Sequence, residues 1–162
     1  MGDICASSNF RNKRDINTII KKIICKIKIN QQILGFGFLC NISPDESLLL
    51  TLITNYSIFN KDDIIDGNIH FIVNKKEYML RIYDDTRIYR NKKYDITIIE
   101  IKDNSYFTFL DIDWDIFKNY TKLYEKEICS INYSYKDINN YEFGYINSIN
   151  DNYIFIEYKK IL

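Results

Sequence analysis

The stretch LLLTLITNYSIFN, from Leu48 to Asn60, runs from an apolar segment into a polar turn. A short continuous apolar run bounded by turn residues is typical of a strand that is buried on both faces. The turn that follows contains Thr54, Asn55 and Ser57. Functional side chains are often carried on loops that a rigid scaffold holds in place. Ser57 is therefore the first candidate for a functional residue in this chain.

Short strand-like segments lie on both sides of this stretch. IHFIV and YMLRIY bracket NKK, which is a connection of hairpin length. The other segments with strand character are IICKIKI, GFGFLCNI, YDITIIEI, EICSINY, YEFGYINSI and NYIFIEY. Many short strands separated by turn signals predict an all-β protein, either a barrel or a sandwich. The strands before residue 111 are numerous enough to close on themselves, whereas the three after residue 125 are too few for a closed barrel.

This pattern predicts four parts along the chain. Residues 1–18 are polar without periodicity and are expected to form a flexible arm. Residues 19–110 are expected to form a first β-barrel. Residues 111–125 are interpreted as a linker with some helical periodicity, and residues 126–162 as a partial second barrel.

The composition argues against several classes of partner. Lysine plus arginine and aspartate plus glutamate number 22 each, and the pI is near 6.6. A chain without net charge gives no reason to expect a nucleic-acid partner or an acidic membrane surface. The four cysteines are widely separated, with no C-x-x-C pair. We therefore predict neither a metal site nor a cofactor, and we expect reduced, buried thiols.

The N-terminal sequence MGDICASS resembles an N-myristoylation signal at Gly2, with Cys5 as a candidate for palmitoylation. Asp3 and Ala6 depart from that signal, so an ordinary polar N-terminus is the alternative. Residues 1–18 contain no apolar core of a secretory leader, and no apolar run reaches the length of a membrane-spanning helix. We expect a cytoplasmic protein, which associates with a membrane only if its N-terminus is acylated.

Three segments, in this order, resemble the trypsin-like (chymotrypsin-fold) serine peptidases. GFGFLC is similar to the glycine-flanked strand that opens the first barrel of that family. LLTLITNYSIF is similar to the strand and turn that deliver the catalytic histidine, and YDITIIEI to the strand that delivers the catalytic aspartate. The resemblance extends over residues 22–158. It implies an all-β, trypsin-like fold with a near-complete first barrel and a partial second one, in which Ser57 and Asp95 face each other.

The departures from this family concern its catalytic residues. The resemblance places Ser57 at the position of the histidine and Asp95 at that of the aspartate. A hydroxyl cannot act as a general base near neutral pH, whereas an imidazole with a pKa of about 6.5 can. The family's nucleophile lies in a G-x-S-G segment, and these 162 residues contain none. Asp95 is therefore the only member of the triad that this chain retains, and a structural role is the better expectation for it.

Other residues offer no obvious replacement for the missing base and nucleophile. His70 is the only histidine and lies inside the strand-like segment IHFIV, where a packed or edge position is more common than a catalytic one. Cys40 has no basic neighbour in the sequence that would lower the pKa of its thiol. The basic run Arg90–Lys93 is flanked by aspartates, so we interpret it as a solvated loop.

These observations predict a catalytically inactive, C-terminally shortened homologue of the trypsin-like peptidases. Strand edges in residues 126–158 are expected to lack cover and to invite a protein or peptide partner. One alternative is part of an active peptidase whose nucleophile half is missing from this chain. Another is an all-β interaction module unrelated to that family.

Overall fold

The computed structural model describes residues 13–29, 32–43, 48–59, 67–102, 106–112, 114, 127–133, 138–149 and 154–158. These residues fall into two compact units, one within Phe10–Ile112 and the other within Asp113–Leu162. The division lies inside the segment that the sequence predicts as a linker. Both units are built mainly of antiparallel β-sheet, so the protein is all-β with little helix.

The first unit begins with one helix, α1 (Lys13–Ile23). Isoleucines recur in it at helical spacing, and the last two of them, Ile20 and Ile23, are buried. Lys21 and Lys22 in the last turn interact favourably with the negative end of the helix dipole. The helix differs from the sequence prediction, which placed a flexible arm up to residue 18. A weak apolar periodicity at the end of a polar segment was not recognised there.

Eight strands follow in the first unit. Their bounds are β1 (Ile24–Ile29), β2 (Gln32–Asn41), β3 (Leu50–Thr54), β4 (Asn68–Val73), β5 (Lys76–Arg81), β6 (Ile88–Asn91), β7 (Ile96–Glu100) and β8 (Leu110–Asp111). The first seven form one antiparallel sheet in the order β5-β4-β1-β2-β3-β7-β6, and β8 pairs in parallel with the end of β2. The predicted hairpin between β4 and β5 is confirmed, since Asn74 and Lys75 form its two-residue turn with positive φ angles of 47° and 68°.

One face of this sheet carries the core of the first unit. Alternate residues of each strand point to it, such as Cys25 and Ile27 on β1 and Phe71 and Val73 on β4. The strand β3 is buried along its whole length, as its continuous apolar sequence predicts. This buried strand leads directly into the turn that contains Ser57.

The ends of the strand path remain apart. Strand β5 at one end and β6 at the other do not pair with each other or with a further strand among the described residues. The first unit is therefore a curled half-barrel, which corrects the closed barrel that the resemblance implies. Aromatic side chains pack beside β4 and β5 instead, with the ring of Phe107 5.0 Å from that of Tyr78 and 5.5 Å from that of Phe71.

Strand β6 is a second correction to the sequence interpretation. The segment Arg90–Lys93 was expected to be a solvated loop, but Arg90 and Asn91 belong to β6, and only the residues after them form the turn to β7. Ile88, two residues before Arg90, packs against the core. An arginine at the next position of that face broke the apolar alternation by which the strand could have been recognised.

The second unit contains three strands, β9 (Glu127–Tyr133), β10 (Ile138–Ile149) and β11 (Ile154–Tyr158). They form an antiparallel sheet in the order β11-β10-β9. The three strands agree with the three segments predicted from the sequence. Within the described residues, β9 and β11 each have a neighbour on one side only, so this sheet has two edges.

Candidate functional site

The candidate site lies where β3 ends. After Thr54 the chain leaves the sheet and forms a single 3-10 turn, Tyr56–Ile58, which exposes Ser57. The glycine at position 35 on β2 makes room for this turn. A Cβ atom added to Gly35 would lie 2.2 Å from the Cδ1 atom of Ile58, so the turn packs directly on the backbone of β2.

Asp95 approaches the same turn from the start of β7. The backbone N–H of Ser57 donates to Asp95 Oδ1 over 3.0 Å, and the side-chain amide of Asn55 donates to Oδ2 over 2.9 Å. The hydroxyl of Ser57 lies 3.4 Å from Oδ2. The structure thus brings together Ser57 and Asp95, the two residues that the family resemblance singles out.

The backbone of Asp95 adopts an unusual conformation to make these contacts. Its φ angle is +49°, in the left-handed region where Asp and Asn are the most readily tolerated residues after glycine. Its N–H donates to the carbonyl oxygen of Lys92 over 3.3 Å, which closes the turn between β6 and β7. A conformation of this kind persists where surrounding contacts enforce it, and the contacts with Asn55 and Ser57 do so here.

The hydrogen bonds set the charge state of the site. The Ser57 N–H, followed by the Asn55 amide, lowers the pKa of the Asp95 carboxyl below its ordinary value. Asp95 is therefore an ionised acceptor near neutral pH. Asn55, Ser57 and Asp95 supply an amide, a hydroxyl and a carboxylate, and none of these groups changes its protonation state between pH 6 and 8. The arrangement can hold a turn in place, but it contains no group that titrates near neutral pH.

Arg90 also holds the turn, and the sequence did not suggest this role. Its Nη2 atom donates to the carbonyl oxygens of Tyr56, at 3.4 Å, and of Phe59. The guanidinium also lies over the ring of Tyr56, 4.4 Å from its centroid. Phe59 is almost fully buried in the core. Arg90 therefore joins β6 to both ends of the turn that presents Ser57.

A short polar row lies next to Arg90. In the sheet register, Arg90 is opposite Thr97 on β7, and Thr97 is opposite Thr54 on β3. The hydroxyl of Thr54 donates to the carbonyl oxygen of Phe36 over 2.7 Å. The Thr97 hydroxyl and the Arg90 Nε are buried without a hydrogen-bond partner among the described residues. Such groups are costly to bury, so this layer is less stable than the apolar core beside it.

Two other residues considered from the sequence lie elsewhere. His70 is on β4, which is separated from β3 in the sheet order by β1 and β2, and its nearest ionic neighbour is Glu77 at 3.6 Å. Cys40 is buried, and burial followed by the nearby charge of Asp111 raises the pKa of its thiol to about 11. Neither residue can supply a base or a thiolate to Ser57 in this arrangement.

Gly2 and Cys5, the candidate lipidation sites, lie outside the described residues. Cys25 and Cys40 are free and buried, as expected for reduced thiols, whereas the environment of Cys129 is not described. In the described part of the chain, no helix has the length and apolar character needed to cross a bilayer. Comparisons of the chain with protein-family models, curated proteins and solved structures found no match.

Proposed function

We propose that this chain is a trypsin-like peptidase homologue that has lost catalysis and acts by binding an extended peptide. The hydrogen-bond set around Asp95 is the observation that carries the proposal. In a Ser-His-Asp triad the aspartate orients an imidazole, which then takes the proton of the nucleophile. Here both oxygens of Asp95 are used by Asn55 and Ser57, so the carboxylate that would orient a base holds a turn instead.

The residues present supply no route to acyl transfer. Ser57 as a nucleophile would need a base within hydrogen-bonding reach, and the group nearest to its hydroxyl is the carboxylate of Asp95. The lowered pKa of Asp95 makes that carboxylate a still weaker base for a hydroxyl proton. The chain also contains no G-x-S-G segment that would provide the family's nucleophile and oxyanion hole.

The edge of the sheet at β6 supports the binding part of the proposal. Glu100 N–H donates to the carbonyl oxygen of Arg87 over 2.9 Å. Because hydrogen-bonded and non-bonded pairs alternate along antiparallel strands, the backbone groups of Ile88 and Arg90 point away from β7. An extended peptide can add to such an edge through main-chain hydrogen bonds.

An open groove of about 250 Å³ lies beside this edge. Its lining residues are Ile42, Leu49, Thr51, Arg87, Ile88, Tyr89, Ile98 and Glu100. Arg87 and Glu100 form an ion pair in it, with 2.8 Å between Nη2 and Oε1, while most of the remaining lining is apolar. The groove has room for one or two apolar side chains of a peptide whose backbone pairs with β6.

Activity and binding are tested separately. The purified chain, incubated with a fluorophosphonate probe and with a generic peptide substrate, is expected to show neither labelling nor turnover. Either reaction, if abolished by Ser57→Ala, would overturn the proposed loss of catalysis.

For binding, the probe is an array of unstructured decapeptides of random sequence. Peptides that bind are expected to slow hydrogen exchange at the amides of Ile88 and Arg90. Ile98→Lys in the groove should lower the affinity for these peptides at least tenfold. Met79→Lys on β5 is the control, since Met79 is an apolar strand residue that lies outside the groove. Equal binding by both variants, or protection confined to other strands, would refute the proposed peptide site.

A further inference from the structure

Five lysines gather at one end of the first sheet. Lys21 and Lys22 occupy the last turn of α1, which leads directly into β1, and Lys26 follows on that strand. Lys75 and Lys76 lie at the turn between β4 and β5. In the register of β1 with β4, Cys25 is opposite Val73, the last residue before that turn, so helix end and turn are adjacent. We call these five residues the lysine end.

Among the described residues, no carboxylate neutralises the charges of the lysine end. None of the five forms an ion pair with a carboxylate among the described residues. The acid on the neighbouring strand, Glu77, is occupied by Lys28, whose Nζ lies 2.9 Å and 3.0 Å from its two carboxylate oxygens. A chain with equal numbers of acidic and basic residues thus has an uncompensated cationic surface in the described part of its first unit.

Apart from Asp15 on α1 and Glu77 on β5, the described acidic residues of this unit lie in other elements. Asp84 and Asp85 follow β5, Asp95 and Glu100 bound β7, and Asp111 is on β8. Four of these carboxylates are already engaged, by Lys102, Arg87, the turn around Ser57 and the side-chain amide of Asn41. The engaged carboxylates therefore do not neutralise the lysine end.

The residues beside the lysine end suit a membrane surface better than a nucleic acid. Phe38 is 39% exposed and pairs with Ile24 at the start of β1, so an apolar ring lies next to the lysines. A single-stranded nucleic acid is held by several stacked rings. The exposed tyrosines that could form such a row, Tyr83, Tyr89 and Tyr94, lie after β5 or next to the β6–β7 turn.

We propose that the lysine end binds the surface of a bilayer that contains anionic phospholipid. Clusters of four to eight basic residues near an amphipathic helix attract such lipids, each contributing about 1 kcal/mol close to the surface. Lysine heads act as point charges and do not require one fixed phosphate geometry, which suits a fluid layer of headgroups. This inference does not depend on the proposed peptide binding, which uses a different edge of the sheet.

The N-terminal sequence suggests how this surface could contribute to membrane anchoring. One myristoyl chain binds a membrane only marginally and needs a second signal, such as a polybasic patch, for stable anchoring. The stretch MGDIC that resembles a myristoylation signal precedes α1, whose last turn contributes two of the five lysines. The lysine end would supply that second signal, and it would also orient the sheet with β1 and the β4–β5 turn toward the lipid.

The test uses the full chain, produced without acylation, in sedimentation with vesicles. Binding is expected to vesicles of 70% phosphatidylcholine and 30% phosphatidylserine, and not to phosphatidylcholine alone. Removing charge by Lys75→Gln together with Lys76→Gln should weaken binding about 25-fold, since about fivefold is lost for each charge. Raising the salt from 0.1 M to 0.5 M should have a similar effect by screening.

The matched control is Lys92→Gln together with Lys93→Gln. These two exposed lysines are also adjacent and also lie in a turn that connects two strands, in this case β6 and β7. The control should bind vesicles like the wild type, and circular dichroism should show that both double variants are folded. Equal loss in both variants, or equal binding to neutral vesicles, would overturn the proposal. Binding to a single-stranded oligonucleotide that Lys75→Gln/Lys76→Gln abolishes, without vesicle binding by the wild type, would assign the lysine end to nucleic acid instead.

Discussion

The backbone N–H of Ser57 donates to the carboxylate of Asp95 over 3.0 Å, although 38 residues separate the two in sequence. This bond joins the turn after β3 to the start of β7. It uses the backbone of Ser57 and not its side chain, so any residue other than proline at position 57 can make the same bond. The side chain can therefore change without loss of the local fold, and this property makes the site open to a direct test.

Replacing Ser57 by histidine should rebuild half of a catalytic triad without activity. The imidazole of Ser57→His would lie next to the Asp95 carboxylate, which should raise its pKa above the ordinary value of about 6.5. The titration can be followed by NMR of the ring protons. In the double variant with Asp95→Asn, the pKa should return to about 6.5. Turnover of a peptide substrate by Ser57→His would contradict the expectation, because the chain contains no G-x-S-G segment.

The contribution of Asp95 to stability should depend on pH in one direction. Its pKa is lower in the folded chain than in the unfolded chain, where it is about 3.9. The stabilisation should be fully present above about pH 5 and should disappear as the pH falls through the folded-state pKa. Asp95→Asn tests this, because asparagine tolerates the φ angle of +49° while removing the charge. Urea unfolding gives the free energy of unfolding of the wild type and of Asp95→Asn between pH 2 and 7. The difference between the two should shrink as the pH falls. A difference that stays constant over this range would contradict the prediction.

Loss of Arg90 should destabilise the turn at the end of β3. Arg90→Met keeps a long side chain but leaves the carbonyl oxygens of Tyr56 and Phe59 without their donor. An unsatisfied, partly buried carbonyl costs about 1–3 kcal/mol, so the free energy of unfolding should fall by roughly that amount. The control is Arg81→Met, which removes an exposed guanidinium that lies over the ring of Tyr83. It should change the free energy of unfolding by no more than about 0.5 kcal/mol. Equal effects in urea unfolding would show that Arg90 does not hold the turn.

The two glycines of GFGF should differ in their tolerance of alanine. A Cβ atom at position 37 would lie 2.9 Å from the carbonyl oxygen of Ile53, and this backbone atom cannot move aside easily. At position 35 the nearest atoms belong to the side chain of Ile58. Gly37→Ala should therefore lower the free energy of unfolding by about 1–3 kcal/mol, and Gly35→Ala by less.

A second substitution identifies the cause of the effect at position 35. Ile58→Ala in the background of Gly35→Ala should cost less than Ile58→Ala alone, because it removes the overlap with the new methyl group. Additive effects of the two substitutions, measured by thermal unfolding, would contradict the packing of the turn on Gly35.

Much of the strand pattern could be predicted from the sequence because alternation and turn residues are local properties. The β4–β5 hairpin and the burial of β3 on both faces follow from a few consecutive residues each. The proximity of Ser57 and Asp95 followed from the family resemblance and is present in the structure. The part played by Arg90 could not be predicted, since its partners, Tyr56 and Phe59, lie more than 30 residues earlier in the chain.

The sequence by itself therefore determined the all-β class and the sites of several turns, because hydrophobic periodicity and backbone preferences act between neighbouring residues. It also determined the absence of an imidazole at position 57, which no folding can supply. Only the tertiary structure decided that, among the described residues, β5 and β6 end the strand order without a further partner, and that five lysines lie at one end of the sheet. The balanced totals of 22 acidic and 22 basic residues could not reveal that surface, because a sum of charges contains no information on where the fold places them.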